Sequence, residues 1–195
     1  MAPTYQSLNY KGKIPDVSGQ FEIVCPPSTD VWYKPPSLKR IDAPIIYTTT
    51  TVKSFKLVRV KVDGRWKQKY DQGGLVFVIN SPDGTRRWIK TGIENLNNEP
   101  HISVVATDRW SDWSLRPNLV AGSTSVTVQI ESGDEGTLWV YAIDTDERKH
   151  PLREITWWGE LDKDAECWVG VCAAKPSEDK EDLLVRFSNF AINLL

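Results

Sequence analysis

Sulfur and imidazole are scarce in this chain of 195 residues, which carries one methionine, three cysteines and two histidines. Cys25 precedes Pro26, while Cys167 and Cys172 stand five apart, so neither a CxxC redox pair nor the ligand spacing of a zinc knuckle is present. An odd and small number of thiols fits a reducing compartment better than a disulfide framework. His101 follows Pro100 and His150 precedes Pro151. Both lie in turn sequence with no matching nucleophile elbow, which removes a Ser or Cys triad. Gly73-Gly74 lacks the GxxxxGK continuation of a phosphate loop. No metal and no cofactor is expected.

Charge of one sign and long apolar runs are also missing. The formal net charge is -2, from 24 basic and 26 acidic residues. The basic residues are interleaved with acidic ones, which excludes the phosphate-tracking surface of a nucleic-acid partner. No segment approaches the roughly 18 apolar residues of a membrane span. The opening MAPTYQSLNYKGKIPDV has no basic region followed by an apolar run, as a signal peptide would. A cytoplasmic protein with no membrane partner is expected.

Tryptophan, by contrast, is abundant, at nine residues against five phenylalanines. It is a large amphipathic plate whose N–H needs a partner when buried, so some of the nine serve the core and others could serve as platforms. Residues 1–20 are polar and punctuated by Gly and Pro, and read as an arm that orders only where something docks it; residues 21–195 suit a single domain. Ile45 to Val52 is rich in β-branched residues, which fit a pleated surface. Phe55 to Val62 alternates charged and apolar side chains before the turn at Asp63-Gly64. Ser81-Pro82-Asp83-Gly84 supplies hairpin chemistry between an apolar run, Leu75 to Asn80, and a returning strand. Further alternating segments are expected at Thr124–Ile130, Thr137–Ile143, Glu154–Trp158, Cys167–Ala173 and Val185–Ile192. Serial strands with turns between them and no helical stripe indicate an all-β sandwich.

The period of two sends Ile89 and Ile93 to the core and Trp88, Lys90 and Glu94 to the opposite, displayed face. Exposed aromatic plates beside carboxylate, amide and basic groups are the chemistry of sugar recognition. Tyr70, Asp71, Gln72, Trp88, Lys90, Glu94 and Trp113 offer it within one window, and Trp139 stands on a later strand. Two plainer readings compete: Asp71 and Gln72 as a buried hydrogen-bonded corner, and Lys90 with Glu94 as an ordinary ion pair.

The blocks YDQGGLVFVI (Tyr70 to Ile79), WIKTGIE (Trp88 to Glu94), SVVATDRWSDWS (Ser103 to Ser114) and WVGVCAAKP (Trp168 to Pro176) resemble the regulation-of-enolase family. The resemblance, over roughly residues 20 to 192, implies a concanavalin-A-like jelly-roll sandwich of two antiparallel sheets, with any ligand face on the concave sheet. It implies no established reaction. Within such folds, Glu160, Asp162, Asp164 and Glu166 in the stretch WGELDKDAE look like the glucanase signature, in which a nucleophile, an assisting Asp and an acid/base Glu alternate along one strand. Here the third carboxylate is Asp164, and Lys163 stands where an apolar residue belongs, so a solvated turn explains the stretch as well. The sequence therefore points to a non-enzymatic protein binding a carbohydrate-like ligand or a protein, with the regulatory role in sugar metabolism that the resemblance implies. A glycan-active hydrolase and a pure interaction module, with oligomeric state open, are the alternatives.

Overall fold

The computed structural model describes residues 3–195. Its fifteen strands, numbered in chain order, make two large antiparallel sheets and one separate hairpin. The first sheet runs in the order β1 (Gln6–Leu8), β5 (Ile45–Thr51), β14 (Glu166–Ala174), β7 (Gln72–Asn80), β8 (Arg86–Leu96), β9 (Glu99–Thr107) and β10 (Ser111–Pro117). The second runs β13 (Lys149–Glu154), β12 (Leu138–Ile143), β11 (Ser125–Ser132), β6 (Phe55–Gly64), β15 (Leu183–Leu194) and β2 (Phe21–Cys25). β3 (Val31–Lys34) and β4 (Leu38–Ile41) pair only with each other. The architecture is the all-β sandwich that the alternating pattern indicates, in the jelly-roll form that the family resemblance implies.

The pattern also assigns the inner face. Leu75, Phe77 and Ile79 of β7, Ile89 and Ile93 of β8, and Ile102, Val104 and Ala106 of β9 pack against Val58, Val60, Val128, Ile130 and Phe187 of the facing sheet. β1 pairs with β5, Gln6 opposite Tyr47, so the expected N-terminal arm is docked there as an edge strand.

One local expectation changes. Glu154–Trp158 is not a strand: β13 ends at Glu154, and Thr156–Glu160 forms a 3₁₀ turn. The reason lies in Trp158, which the turn swings into the core, edge-on to Phe55 at 6.1 Å and to Phe77 at 5.6 Å. β8 and β9 join through a tight turn in which Asn97 and Asn98 supply the left-handed residues, at φ 55° and 62°.

A second apolar cluster lies on the other side of the seven-stranded sheet. Val76, Val78, Trp88, Val105 and Ala174 are buried there beneath Val31 and Tyr33 of β3. The β3–β4 hairpin is thus a third layer laid across part of the sheet's outer face.

Candidate functional site

The hairpin decides which outer-face residues can meet a ligand. Trp88 has 0% exposure and stands edge-on to Tyr33 at 5.7 Å and 89°, so the expectation of a displayed platform is corrected. Alternation put Trp88 on the right face, but residues about 55 positions earlier cover it. Lys90 and Glu94 share that face and are also buried, each at 6%. Unlike Trp88, they line a cavity of about 340 Å³ together with Asp30, Trp32, Tyr70, Gln72 and Trp113. That volume falls within the range of about 300–1,000 Å³ usual for small-molecule sites.

The floor is a polar network on adjacent strands. Gln72 of β7 stands opposite Glu94 of β8, and Gly92 opposite Ser103 of β9. Lys90 Nζ donates to Gln72 Oε1 and lies 3.5 Å from Asp30 Oδ1. Its ammonium also sits 5.8 Å from the ring of Trp32 and 5.9 Å from that of Trp88, where the aromatic faces attract a cation. Ser103 Oγ donates to Glu94 Oε2 at 2.7 Å and in turn accepts from Trp113 Nε1 at 3.1 Å. This chain fixes Glu94 and the indole wall together. Burial raises the Glu94 carboxyl above its ordinary range, and Asp30 adds to the rise; Lys90 and the Ser103 bond act against it.

Between Lys90 and Glu94 the floor has no side chain. A Cβ on Gly74 would lie 2.0 Å from the carbonyl oxygen of Thr91, and one on Gly92 2.0 Å from that of Gly73, so only glycine fits at either position. The walls are aromatic. Trp32 and Trp113 meet edge-to-face at 6.1 Å and 85°, and Tyr70 meets Trp113 at 5.9 Å and 76°.

Of the expected ligand residues, Tyr70, Gln72, Lys90, Glu94 and Trp113 converge on this cavity. Three do not. Trp88 lies beneath the hairpin. Asp71 forms the buried corner: its Oδ2 accepts the backbone N–H groups of Lys67 and Gln68, both at 2.9 Å, and Lys175 Nζ lies 3.6 Å from Oδ1. The corner holds Tyr70 at φ 69°, with its N–H bonded to Asn95 O at 2.7 Å, so Asp71 positions a wall that it does not itself form. Trp139 stands on the outer face of the other sheet, stacked on Tyr141 at 6.2 Å.

The carboxylates of the glucanase-like stretch do not share a strand. Glu160 ends the 3₁₀ turn, Asp162 and Asp164 lie in the exposed turn that follows, and Glu166 alone opens β14. Asp164 pairs with Lys53, and Asp162 Oδ1 accepts the Asp164 N–H. The stretch is a solvated, self-bonded turn, the simpler of its two readings, and the glucanase-like alternation along one strand is absent.

Asp30, Trp32, Ser103 and Ser111 join the site without having been anticipated. Ser103 carried a signal, being the polar member of an otherwise apolar run from Ile102 to Ala106. Asp30 and Trp32 carried little, since they precede the prolines of a segment that reads as an edge or loop. Ser111 Oγ accepts the Tyr33 N–H at 2.9 Å and ties the hairpin to β10.

The comparisons agree with this architecture. The uncharacterized protein AN7484 of Emericella nidulans is 41% identical over 193 residues, covering 97% of this chain and 96% of its own length. A crystal structure of a functionally unknown protein from Saccharomyces cerevisiae superposes with a TM-score of 0.78 at 21% identity, covering 98% of this chain and 96% of that one. The alginate lyase from Alteromonas sp. 272 shares the fold at a TM-score of 0.56 and 9% identity, covering 98% and 94% of the two chains. Residues 8–194 match the family described as "Protein of unknown function (DUF1349)", and the chain belongs to that family.

Proposed function

We propose that the groove binds a short carbohydrate-like ligand without converting it. The observation that carries this reading is the meeting of three aromatic walls, Trp32, Tyr70 and Trp113, over a floor of Lys90, Gln72 and Glu94. Aromatic plates suit the C–H faces of a sugar ring, and the floor groups suit its hydroxyls. The β3–β4 hairpin covers the outer face over Trp88, Val76 and Val78. A ligand therefore enters as a short unit at one end, not as a polymer lying along the whole sheet.

Binding without turnover fits the regulatory role in sugar metabolism that the regulation-of-enolase resemblance implies. Cys25, Cys167 and Cys172 are free and buried, in keeping with a cytoplasmic protein. Among the described residues, no helix is long and apolar enough to cross a membrane.

A glycan array with the full chain tests the reading. Wild type gives signal, and Trp113→Ala removes it while far-UV circular dichroism stays unchanged, because Trp113 is only partly buried. A blank array with well-folded protein would overturn sugar binding and favour a protein partner. A second reading, a glycan-active hydrolase, draws on the two carboxyl groups of the same cavity, the raised Glu94 and Asp30. It requires turnover of bound oligosaccharide, detected by mass spectrometry, that Glu94→Gln abolishes.

A further inference from the structure

The cavity's charges narrow the class of ligand, taking saccharide binding as given. Three ionisable groups form its deep part: Lys90, Asp30 and Glu94. The other titratable groups on its lining are Tyr33, Tyr70 and the exposed Lys34. An exposed lysine at the rim is screened by salt and does little to the floor.

Lys90 is already committed. Its side chain is 7% exposed, it donates to Gln72 Oε1, and it is paired with Asp30. A carboxylate or phosphate on the ligand would have to compete with Asp30 for the single deep cation while lying beside a second carboxyl, Glu94. Like-charge juxtaposition in a desolvated site is strongly unfavourable. An ammonium on the ligand would meet two carboxyl groups as well as the Lys90 ammonium, so the penalty falls on anionic ligands. Among the described residues no deep cation is left unpaired for them.

Uncharged hydroxyls do have partners. Asp30 Oδ1 accepts the Val31 N–H at 2.7 Å and faces Lys90, and Glu94 Oε2 accepts from Ser103. Among the described residues Asp30 Oδ2 and Glu94 Oε1 accept no hydrogen bond, and neither is a sealed, unsatisfied atom. Two acceptors and the remaining N–H capacity of an ammonium, side by side, match neighbouring hydroxyls, each of which donates and accepts at once. We infer that the cavity selects an uncharged sugar unit bearing adjacent hydroxyls, and rejects the corresponding uronates and sugar phosphates.

The test is isothermal titration of the full chain with matched sets in the gluco, galacto and manno series: neutral oligosaccharide and its uronic-acid counterpart, at one pH and salt concentration. The expected result is that a neutral member binds about tenfold or more tighter than its uronate, a gap of about 1.4 kcal/mol or more. Asp30→Asn, which frees Lys90, is expected to narrow the gap to the uronate by about tenfold, with Lys90 still held by Gln72. A uronate binding as well as the neutral member would overturn this inference and leave saccharide binding standing. Silence from every set would remove saccharide binding itself and the inference with it.

Discussion

Replacing Trp88 separates a core residue from a binding platform more sharply than any other single change. Its indole is fully buried, lies between Val78 and Thr107 in the sheet register, and takes the edge of Tyr33 from the hairpin. Removing a buried Trp side chain typically costs about 3–5 kcal/mol, a large part of the roughly 5–15 kcal/mol that holds a domain together. With a urea dependence of roughly 1–3 kcal/mol per molar, Trp88→Ala is expected to lower the unfolding midpoint by roughly 1–5 M. Trp88→Phe is the informative companion. Trp88 Nε1 is buried with no hydrogen-bond partner, and a group in that position costs about 1–3 kcal/mol of desolvation. Phenylalanine loses part of the ring but also removes the stranded donor, so its midpoint should fall well short of the alanine shift. Urea titrations followed by far-UV circular dichroism give both values. A Trp88→Ala protein as stable as wild type, or a Trp88→Phe protein as damaged as Trp88→Ala, would refute the placement of this residue under the hairpin.

Other substitutions probe the remaining assignments. Glu94 has its carboxyl raised by burial, so the folded state holds its proton to higher pH than the unfolded chain, whose Glu titrates near 4.3. Stability from this group is therefore greatest below the unfolded pKa, declines as pH rises toward the folded value, and is level above it. Each unit of the rise is worth about 1.4 kcal/mol. Glu94→Gln should remove that decline, and wild-type and variant midpoints running parallel from pH 4 to 9 would contradict it. Asp71→Ala leaves Lys175 in a buried site with one fewer carboxylate and strips the acceptor from two backbone N–H groups, a loss of about 3–5 kcal/mol. Denaturant titration measures it, and a near-neutral result would return Asp71 to the candidate ligand residues. Glu160→Gln and Asp164→Asn lie on an exposed turn and should leave both the urea midpoint and ligand affinity unchanged; loss of binding in either would revive the glucanase-like stretch.

The sheet order of β7, β8 and β9 and the inner face of each strand were legible because alternation is a local property. Ile89 and Ile93 sit two strands deep in the sandwich, and their period alone says so. Alternation also grouped Trp88, Lys90 and Glu94 on one face. It could not say whether that face meets water, since exposure depends on what another part of the chain lays over it. The covering hairpin has strands of only four residues flanked by prolines, too short to show a period, and its partners, Val76 to Ala174, stand roughly 43 to 143 positions later. The glucanase-like stretch failed for a related reason. Glu160 to Glu166 alternates acidic residues as a strand would, but burial of Trp158 between Phe55 and Phe77 curls the preceding segment into a 3₁₀ turn, a tertiary demand that overrides the local pattern.

The hairpin is fastened through the same groups that form the floor. Asp30, at its entry, supplies the counter-charge to Lys90, and Asp42, just past its exit, accepts the Asp30 N–H at 2.6 Å and pairs with Arg40 at 2.8 Å. Tyr33 rests on Trp88, and its N–H is held by Ser111 of β10. A buried lysine is expensive unless paired, so a sequence that keeps Lys90 on this face also requires the hairpin to stay closed over Trp88. The wall contributed by Trp32 follows from that closure, because it lies one residue along from Tyr33 and packs edge-on to Trp113. Trp113 in turn bonds Ser103, which bonds Glu94. Walls and floor are therefore set by one connected network of the chain's own side chains, and a site held by such a network loses less entropy on binding than one that must be assembled around its ligand.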